Sequence, residues 1–369
     1  MALKRVTYEP EEEVYRIEGG PEIRFARDDS LVISLETAKD VSVAHFQNAL
    51  RRSEEHFGQY ITSIFTSDVP LEEFDPDSSP RNVWLSYELG TLAVEAGFAV
   101  RSSQPPKTED VKRLVDPVLK RWRASFRGSW QDDDGPILSV FVSASLGGGS
   151  RSVGELHELG TELQLLLDAV GGDLSLTALT ASDLVKASRP DVIVGQPETT
   201  WLDAKREPYK LGNDPQAWEL AKDVAAFANT GADALIVLGV ATTKSVNGDV
   251  LSTPRPFPLS DMDVDQVRAT LRERLTPDIP NIDVGVVASR KSSEYGFGWI
   301  FIPAQGRELQ PFMVRGALVG KVWRGTHISI PVRSGEDTVY TDPAAVHTLL
   351  AAGRIALRQP LPEGDSSKT

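Results

Sequence analysis

The segment from Pro215 to Val240 constrains the fold of this chain more than any other. Ala234 to Val240 is apolar throughout, as is typical of a buried strand. The residues before it have the pattern of a helix with proline in its first turn and an apolar face made of Trp218, Ala221, Val224, Ala225 and Ala228. Asn229-Thr230-Gly231 would end this helix in a tight turn. A helix that leads into a buried strand predicts an α/β or α+β domain with a mixed sheet and flanking helices.

Charge divides the 369 residues into two parts. Residues 1–190 carry 20 basic and 31 acidic side chains, a net charge of −11, whereas residues 191–369 carry 19 and 22, a net charge of −3. Arg189-Pro190 is a local breaker between them. We predict an acidic N-terminal α/β domain of unknown type at 1–190, a second domain at 191–335, and a C-terminal helix and polar tail at 336–369.

Hydrophobic periodicity predicts further elements in both parts. In the first part it indicates strands at 14–17, 23–26, 31–35 and 137–142, and helices at 41–57, 83–96, 108–126, 153–170 and 181–187. In the second part it indicates strands at 191–194, 282–288, 298–302, 311–315 and 321–323, and helices at 215–229, 264–275 and 342–352.

Composition excludes several kinds of function. The chain has no cysteine and five widely spaced histidines, which excludes a disulfide framework, a thiolate zinc site, a cysteine nucleophile and the H-E-x-x-H motif. Any metal held here would be a hard cation on oxygen ligands. No targeting segment is evident and no run approaches a membrane span, so we expect a cytoplasmic protein without a membrane partner. The total charge of −14 argues against bulk attraction to nucleic acid, although the second part is nearly neutral.

Three charged residues before the helix form a candidate site. If the chain is extended at 200–205, Asp203 and Lys205 point to the same side, with Glu198 five residues before Asp203. A carboxylate and an ammonium on one face could hold a metal or meet a phosphodiester, and the alternative is a surface ion pair. In the helix, Glu219 and Asp223 are like charges four residues apart. Lys222, Lys205 or a ligand could compensate them, and the alternative is a solvated helix face.

Two other patterns suggest phosphate or nucleic acid. Cations interleave with Trp122, Phe126 and Trp130 around 112–130, which could hold a single strand or could simply form an amphipathic helix. Gly147-Gly148-Gly149 between a strand and a helix could cradle a phosphate, or could be a flexible loop.

Taken together, the pattern over about 198–330 resembles the Schlafen-type AlbA-like domain. The resemblance rests on Glu198, Asp203 and Lys205, then on the helix with Glu219, Lys222 and Asp223, and on Ala226–Thr230, Gly239 and Val240. Weaker matches are Ile302-Pro303, Gln310-Pro311-Phe312 and Arg324-Gly325-Thr326.

The resemblance implies a DNA-, RNA- or ATP-binding protein, with a regulatory or defence role. It implies phosphate binding by Lys205, Lys222, Asn229, Thr230, Gly231 and Arg324. An alternative that it also implies is a metal-dependent endoribonuclease, with Glu198 and Asp203 binding Mg²⁺ or Mn²⁺ and Lys205 stabilising charge on the phosphate. The third carboxylate position of such nucleases is Ala241 here, which puts cleavage in doubt. A third hypothesis is a protein-interaction module, in which residues 1–190 contact a second copy or another protein.

Overall fold

The computed structural model describes residues 3–20, 22–23, 25–27, 30–57, 63–66, 83–100, 106–132, 138–147, 150–171, 174–246, 248–319, 322–342, 344, 346–348 and 351. The chain divides into two compact units. The first unit comprises Met1–Leu184 and Asp191–Gln196, and the second comprises Val185–Pro190 and Pro197–Thr369. The mixture of helices and sheets confirms the predicted α+β class.

Residues 6–186 of the described chain contain two sheets and five helices. The strands are β1 (Val6–Glu9), β2 (Val14–Ile17), β3 (Glu22–Ile23), β4 (Phe25–Arg27), β5 (Ser30–Ile33), β6 (Ser63–Thr66), β7 (Val83–Glu88), β8 (Thr91–Val100), β9 (Ala124–Asp132) and β10 (Leu138–Leu146). The helices are α1 (Leu35–Ala38), α2 (Val43–Phe57), α3 (Thr108–Trp122), α4 (Val153–Val170) and α5 (Ala178–Lys186). The sheet orders are β1-β2-β3 and β4-β5-β6-β7-β8-β10-β9.

Helix α4 packs against the larger sheet and approaches it closely at Gly160. A Cβ on Gly160 would lie 2.3 Å from a methyl group of Val94 on β8. The helix begins at a capping box, in which the Ser152 hydroxyl accepts from the Glu155 backbone N–H and the Glu155 carboxylate accepts from the Ser152 N–H. The predicted bounds of this helix, 153–170, are confirmed.

The predicted helix at 83–96 is wrong, because β7 and β8 form an antiparallel hairpin there. Leu89 and Gly90 connect them, and both residues have positive φ, as a two-residue hairpin turn requires.

Two other predicted elements also differ from the structure. The helix predicted to reach residue 126 ends at Trp122, because Arg123 is left-handed, and residues 191–194 form turns rather than a strand.

The second unit is built on a mixed sheet. Its strands are β11 (Leu202–Lys205), β12 (Ala234–Leu238), β13 (Val240–Ser245), β14 (Gly248–Pro254), β15 (Phe257–Pro258), β16 (Leu275–Thr276), β17 (Asp283–Ser289), β18 (Ser292–Ile302), β19 (Met313–Val319), β20 (Val322–Ser329), β21 (Pro331–Ser334) and β22 (Asp337–Tyr340). The helices are α6 (Asp214–Ala228) and α7 (Val264–Arg274). The central sheet has the order β11-β12-β18-β15, with β17 also paired to β18.

Strands β11 and β12 are parallel, and β12 and β18 are antiparallel, so the predicted mixed sheet is confirmed. Every side chain of β12 is buried, which explains the unbroken apolar run that the sequence shows there. Helix α6 covers this sheet with a face of small residues that includes Ala221, Ala225 and Ala228, each buried.

The end of the second unit differs from the expected helix and tail. Residues 331–340 form the hairpin β21–β22, which lies within none of the predicted elements. Residues 344, 346–348 and 351 are helical, within the predicted helix at 342–352. The tail at 360–369 lies outside the described residues, as do Gly148 and Gly149 of the candidate phosphate loop.

Candidate functional site

Strand β11 places the predicted ion pair on one side of the sheet. The Lys205 Nζ lies 2.7 Å from the Asp203 Oδ2, as the alternation of strand side chains predicts. Asp203 is buried, with 2% of its surface exposed. Glu198 reaches the same strand, because its Oε1 accepts a 3.1 Å hydrogen bond from the Ala204 backbone N–H. Because Asp203 is buried, the pair is not the surface ion pair that was the alternative.

The charged face of α6 completes the cluster. The Lys222 Nζ lies 2.6 Å from a Glu219 carboxylate oxygen and 3.2 Å from one of Asp223, and Lys205 lies 3.5 Å from the Asp223 Oδ2. The Tyr209 hydroxyl donates a 2.8 Å hydrogen bond to the same Oδ2. Lys222 and Lys205 therefore compensate the like charges of Glu219 and Asp223.

Arg333, on the hairpin strand β21, is the member of the cluster that sequence reasoning missed. Its guanidinium lies 3.2 Å from the Asp203 Oδ1 and 3.6 Å from the Glu198 Oε2. The Nε also donates to the Gly335 carbonyl at 3.0 Å, and the guanidinium lies 5.0 Å from the centre of the Phe227 ring. The contact with Asp203 spans 130 residues of sequence, so no local pattern points to it.

Burial and neighbouring charges set the protonation of the cluster. Burial, with the Asp203 charge nearby, raises the pKa of Glu198 to about 7. Burial disfavours the charged form of Lys205, but the Asp203 and Asp223 carboxylates outweigh this and raise its pKa. Burial and the Asp223 charge raise the pKa of Tyr209 well above its usual value. Lys205 is therefore a fixed cation, and Glu198 titrates near neutral pH.

The cluster does not fit a divalent metal ion. Arg333 contacts both Glu198 and Asp203, and Lys205 lies between Asp203 and Asp223, so cations of the chain already contact these carboxylates. Ala241 lies on β13, at the position where the resemblance predicts a third carboxylate. Its methyl side chain cannot bind a metal, and its backbone carbonyl accepts a hydrogen bond from the Ser252 hydroxyl. In the described ranges, no group of three or more histidines and carboxylates is arranged to hold a metal.

The residues at the end of α6 have structural contacts instead. The Asn229 amide donates to the carbonyls of Phe312 and Pro331, at 2.9 and 2.8 Å, and accepts from the Phe312 N–H at 2.7 Å. The Thr230 hydroxyl donates to the Phe227 carbonyl, and Gly231 takes a positive φ of 74° in the turn. Asn229 therefore fastens the helix to the segments at 312 and 331.

The structure thus brings together four of the predicted site residues, namely Glu198, Asp203, Lys205 and Lys222. Arg324 is exposed on β20, and among the described contacts it makes none with that cluster. The phosphate-binding roles predicted for Lys222, Asn229, Thr230, Gly231 and Arg324 stay predictions.

A cleft of about 740 Å³ lies where β11 ends. Its lining residues are Arg206, Glu207, Pro208, Lys210, Pro254, Arg255, Pro256, Phe257, Pro258 and Asp261. The Gly239 N–H donates to the Lys205 carbonyl and the Arg255 N–H donates to the Gly239 carbonyl, so the walls meet at the carboxyl ends of the parallel strands β11 and β12. That end of a parallel pair is where open α/β sheets bind ligands.

The second unit is an α+β domain with a buried cluster of charged residues on β11, α6 and β21. The Schlafen, AlbA_2 family model matches residues 198–306, which are 109 of the 369 residues. The match confirms the predicted resemblance over this part of the chain, and it supports a nucleic-acid- or nucleotide-related role in broad terms only. No curated protein matches the chain. Among the described helices, none has the length and apolar character needed to cross a membrane.

Proposed function

We propose that the second unit binds nucleic acid or a nucleotide through its phosphate groups, at the cleft beside the carboxyl end of β11. One observation carries the proposal. Arg206 and Arg255 are exposed on the cleft walls, and neither guanidinium has an ion-pair partner among the described residues. A guanidinium presents paired donors that match the oxygens of a phosphate.

The walls of the cleft are conformationally restricted, as in a preorganised binding site. Four of its ten lining residues are prolines, namely Pro208, Pro254, Pro256 and Pro258. Because proline fixes φ, little conformational freedom is lost when such a wall binds a ligand. The lining also includes Asp261 and Glu207, and Lys210 lies 3.6 Å from the Glu207 carboxylate. The excess of positive charge is therefore small, and we expect weak binding that added salt reduces.

The residues of the buried cluster argue against metal-dependent cleavage of RNA. Glu198 and Asp203 contact Arg333 and Lys205, and the third carboxylate position is alanine. Mg²⁺, Mn²⁺ and a catalytic role of Glu198, Asp203 and Lys205 stay predictions from the sequence, as does a cytoplasmic location.

A binding assay tests the proposal. Fluorescence polarisation of a labelled single-stranded RNA, at low salt, compares the full chain with the double variant Arg206→Ala, Arg255→Ala. We expect the variant to bind about tenfold more weakly, which corresponds to about 1.4 kcal/mol. Competition by unlabelled DNA, RNA and ATP shows which phosphate ligand is preferred.

A second double variant, Arg272→Ala, Arg290→Ala, is the matched control. It removes the same charge from exposed positions on α7 and on the turn between β17 and β18, which do not line the cleft. If both double variants lose affinity equally, the attraction is not specific to the cleft and the proposed site is wrong. If the unaltered chain binds neither nucleic acid nor ATP, the protein-interaction hypothesis is preferred.

A further inference from the structure

A second cleft, of about 670 Å³, lies on the larger sheet of the first unit. Strands β7, β8, β10 and β9 are neighbours in that order, and cross-strand register aligns Trp84 with Glu95 and Glu95 with Ser143. Small residues line much of the cleft, so their side chains fill little of the space over this face of the sheet. They are Ser86, Ala93, Gly128, Ser129 and Ser143. The helix α4 contacts β8 from the side of Val94, which alternates with Glu95 along the strand.

Glu95 is a buried carboxylate in this cleft, with 5% of its surface exposed. One carboxylate oxygen accepts from the Ser86 hydroxyl at 2.6 Å, and the other accepts from the Trp130 indole N–H at 3.2 Å. Both donors are neutral, and no lysine, arginine or histidine of the described chain pairs with Glu95. Buried carboxylates are normally paired with a cation, and each oxygen here accepts one described hydrogen bond although it has two lone pairs.

Three aromatic rings form one group, and Trp130 of this group contacts the Glu95 carboxylate. Trp130 stacks on Phe141 with 4.2 Å between ring centres, and Trp84 meets Phe141 edge-on at 5.0 Å. The Phe141 ring is seated over Gly97, where a Cβ would lie 2.2 Å from the ring. Trp130 is 44% exposed, so part of its indole is open to a ligand. An open indole beside a carboxylate attracts an organic cation through both its π face and the neighbouring charge.

A β-bulge adds a positive group to the same cleft. The register of β9 and β10 shifts between Ser143 and Ala144, which leaves Arg127 as an extra residue in β9. Bulges turn a side chain toward a new direction, and Arg127 is exposed and lines the cleft. Gly128 aligns with Ser143, which aligns with Glu95, so the two charged residues are about two strand spacings apart, roughly 10 Å.

We propose that this cleft binds a small zwitterion of the amino-acid or peptide class. Its ammonium or guanidinium group pairs with Glu95 against the indole of Trp130, and its carboxylate pairs with Arg127. The site is independent of the proposed phosphate cleft of the second unit. It has the aromatic wall and the few polar groups that small-molecule pockets share.

Calorimetric titration of the full chain with L-arginine and with agmatine, which lacks the carboxylate, tests the proposal. We expect saturable binding of L-arginine in the millimolar to micromolar range that a ligand of this size can reach. Agmatine should bind more weakly, because it cannot pair with Arg127. Absence of saturable binding for both compounds would overturn the proposal.

Two variants separate the charges of the site. Glu95→Gln keeps a hydrogen-bond acceptor and removes the charge, so both compounds should bind at least tenfold more weakly. Arg127→Gln is at an exposed position and should reduce the affinity for L-arginine to that for agmatine. The control Glu158→Gln, at an exposed position on α4 outside the cleft, should bind like the unaltered chain.

The Arg127 variant keeps the test decisive if Glu95→Gln fails to fold by circular dichroism. An unchanged ratio of the two affinities in Arg127→Gln would then contradict the proposal. A peptide with blocked ends and internal arginine and aspartate distinguishes the two sources of the ligand. Tighter binding of the peptide than of L-arginine assigns the cleft to protein segments, and weaker binding assigns it to free amino acids.

Discussion

The middle and the end of helix α6 use polar residues in opposite ways. In the middle, Glu219, Lys222 and Asp223 form ion pairs with one another and with Lys205 of β11. At the end, the uncharged side chains of Asn229 and Thr230 donate hydrogen bonds to backbone carbonyls. The first arrangement holds charge in the interior, and the second connects segments that are far apart in sequence.

A run of polar residues in one motif therefore need not form one binding site. The two buried aspartates of the cluster, Asp203 and Asp223, form ion pairs with Lys205, Lys222 and Arg333, which belong to the chain itself. The hydrogen-bonding groups of Asn229 are occupied by Phe312 and Pro331. Beyond the end of β11, in contrast, Arg206 and Arg255 line the cleft without an ion-pair partner among the described residues.

The largest effect should follow from removing the buried cation. Arg333→Met would leave the Asp203 and Glu198 carboxylates facing each other without their shared counter-charge, so we expect a loss of about 3–5 kcal/mol in the free energy of unfolding. Urea denaturation measures it. Arg324→Met, at an exposed position on β20, is the control and should change stability by less than about 0.5 kcal/mol. A small loss for Arg333→Met would show that the cluster does not depend on it.

The next largest effect concerns the end of the helix. Asn229→Ala removes three hydrogen bonds to backbone groups, and we expect it to cost about 2–3 kcal/mol. Affinity for RNA should stay unchanged in the folded variant, because the amide has a structural role. A selective loss of RNA binding, with stability retained, would instead assign Asn229 to the binding surface.

The pH dependence of stability tests the cluster more finely. Because the pKa of Glu198 is raised to about 7 in the folded state, the folded chain binds this proton more tightly than the unfolded chain does. Its contribution to stability is therefore greatest below about pH 4.5 and is lost as the pH rises through about 7. We expect the unaltered chain to lose about 1–3 kcal/mol relative to Glu198→Gln between pH 5 and pH 7.5.

Denaturation of both proteins at the two pH values measures this difference. Glu294→Gln, at an exposed position at the start of β18, should behave like the unaltered chain. If the free energies of unfolding of Glu198→Gln and the unaltered chain differ by the same amount at both pH values, the pKa of Glu198 is not raised by burial.

The smallest effect should come from Glu219. Its side chain is 44% exposed, and exposed ion pairs contribute little, so Glu219→Gln should cost less than about 0.5 kcal/mol. Asp223→Asn removes a buried partner of Lys205, Lys222 and Tyr209 and should cost several times more. Equal losses for the two variants, measured by urea denaturation, would contradict the distinction between the exposed and buried sides of the cluster.

Local patterns predicted what depends on local structure. Pro215, the small residues of α6 and the apolar run of β12 gave correct element types, because helix and strand periods are visible within a few residues. The Asp203 and Lys205 contact followed from alternation alone. At 83–96, in contrast, the apolar residues gave a false helical pattern, because the hairpin turn at Leu89-Gly90 lacks the usual Asn-Gly signal.

Contacts between distant segments could not be predicted. Arg333 reaches Asp203 only because the β21–β22 hairpin folds back onto α6, and nothing near residue 333 in the sequence indicates a buried cation. The cleft beyond β11 combines residues 206–210 with residues 254–261, so its charge is visible only after the strands are placed. The motif predicts that Asn229 binds a ligand. Its three hydrogen bonds with Phe312 and Pro331 are visible only in the folded chain.

The salt dependence of RNA binding reports whether Arg206 and Arg255 contact phosphate groups. Each phosphate neutralised on a single strand contributes about 0.7 to the slope of log affinity against log salt concentration. If Arg206 and Arg255 each contact a phosphate, the double variant Arg206→Ala, Arg255→Ala should lower the magnitude of this slope by about 1.4. The same slope for the double variant and the unaltered chain would contradict a phosphate site in this cleft.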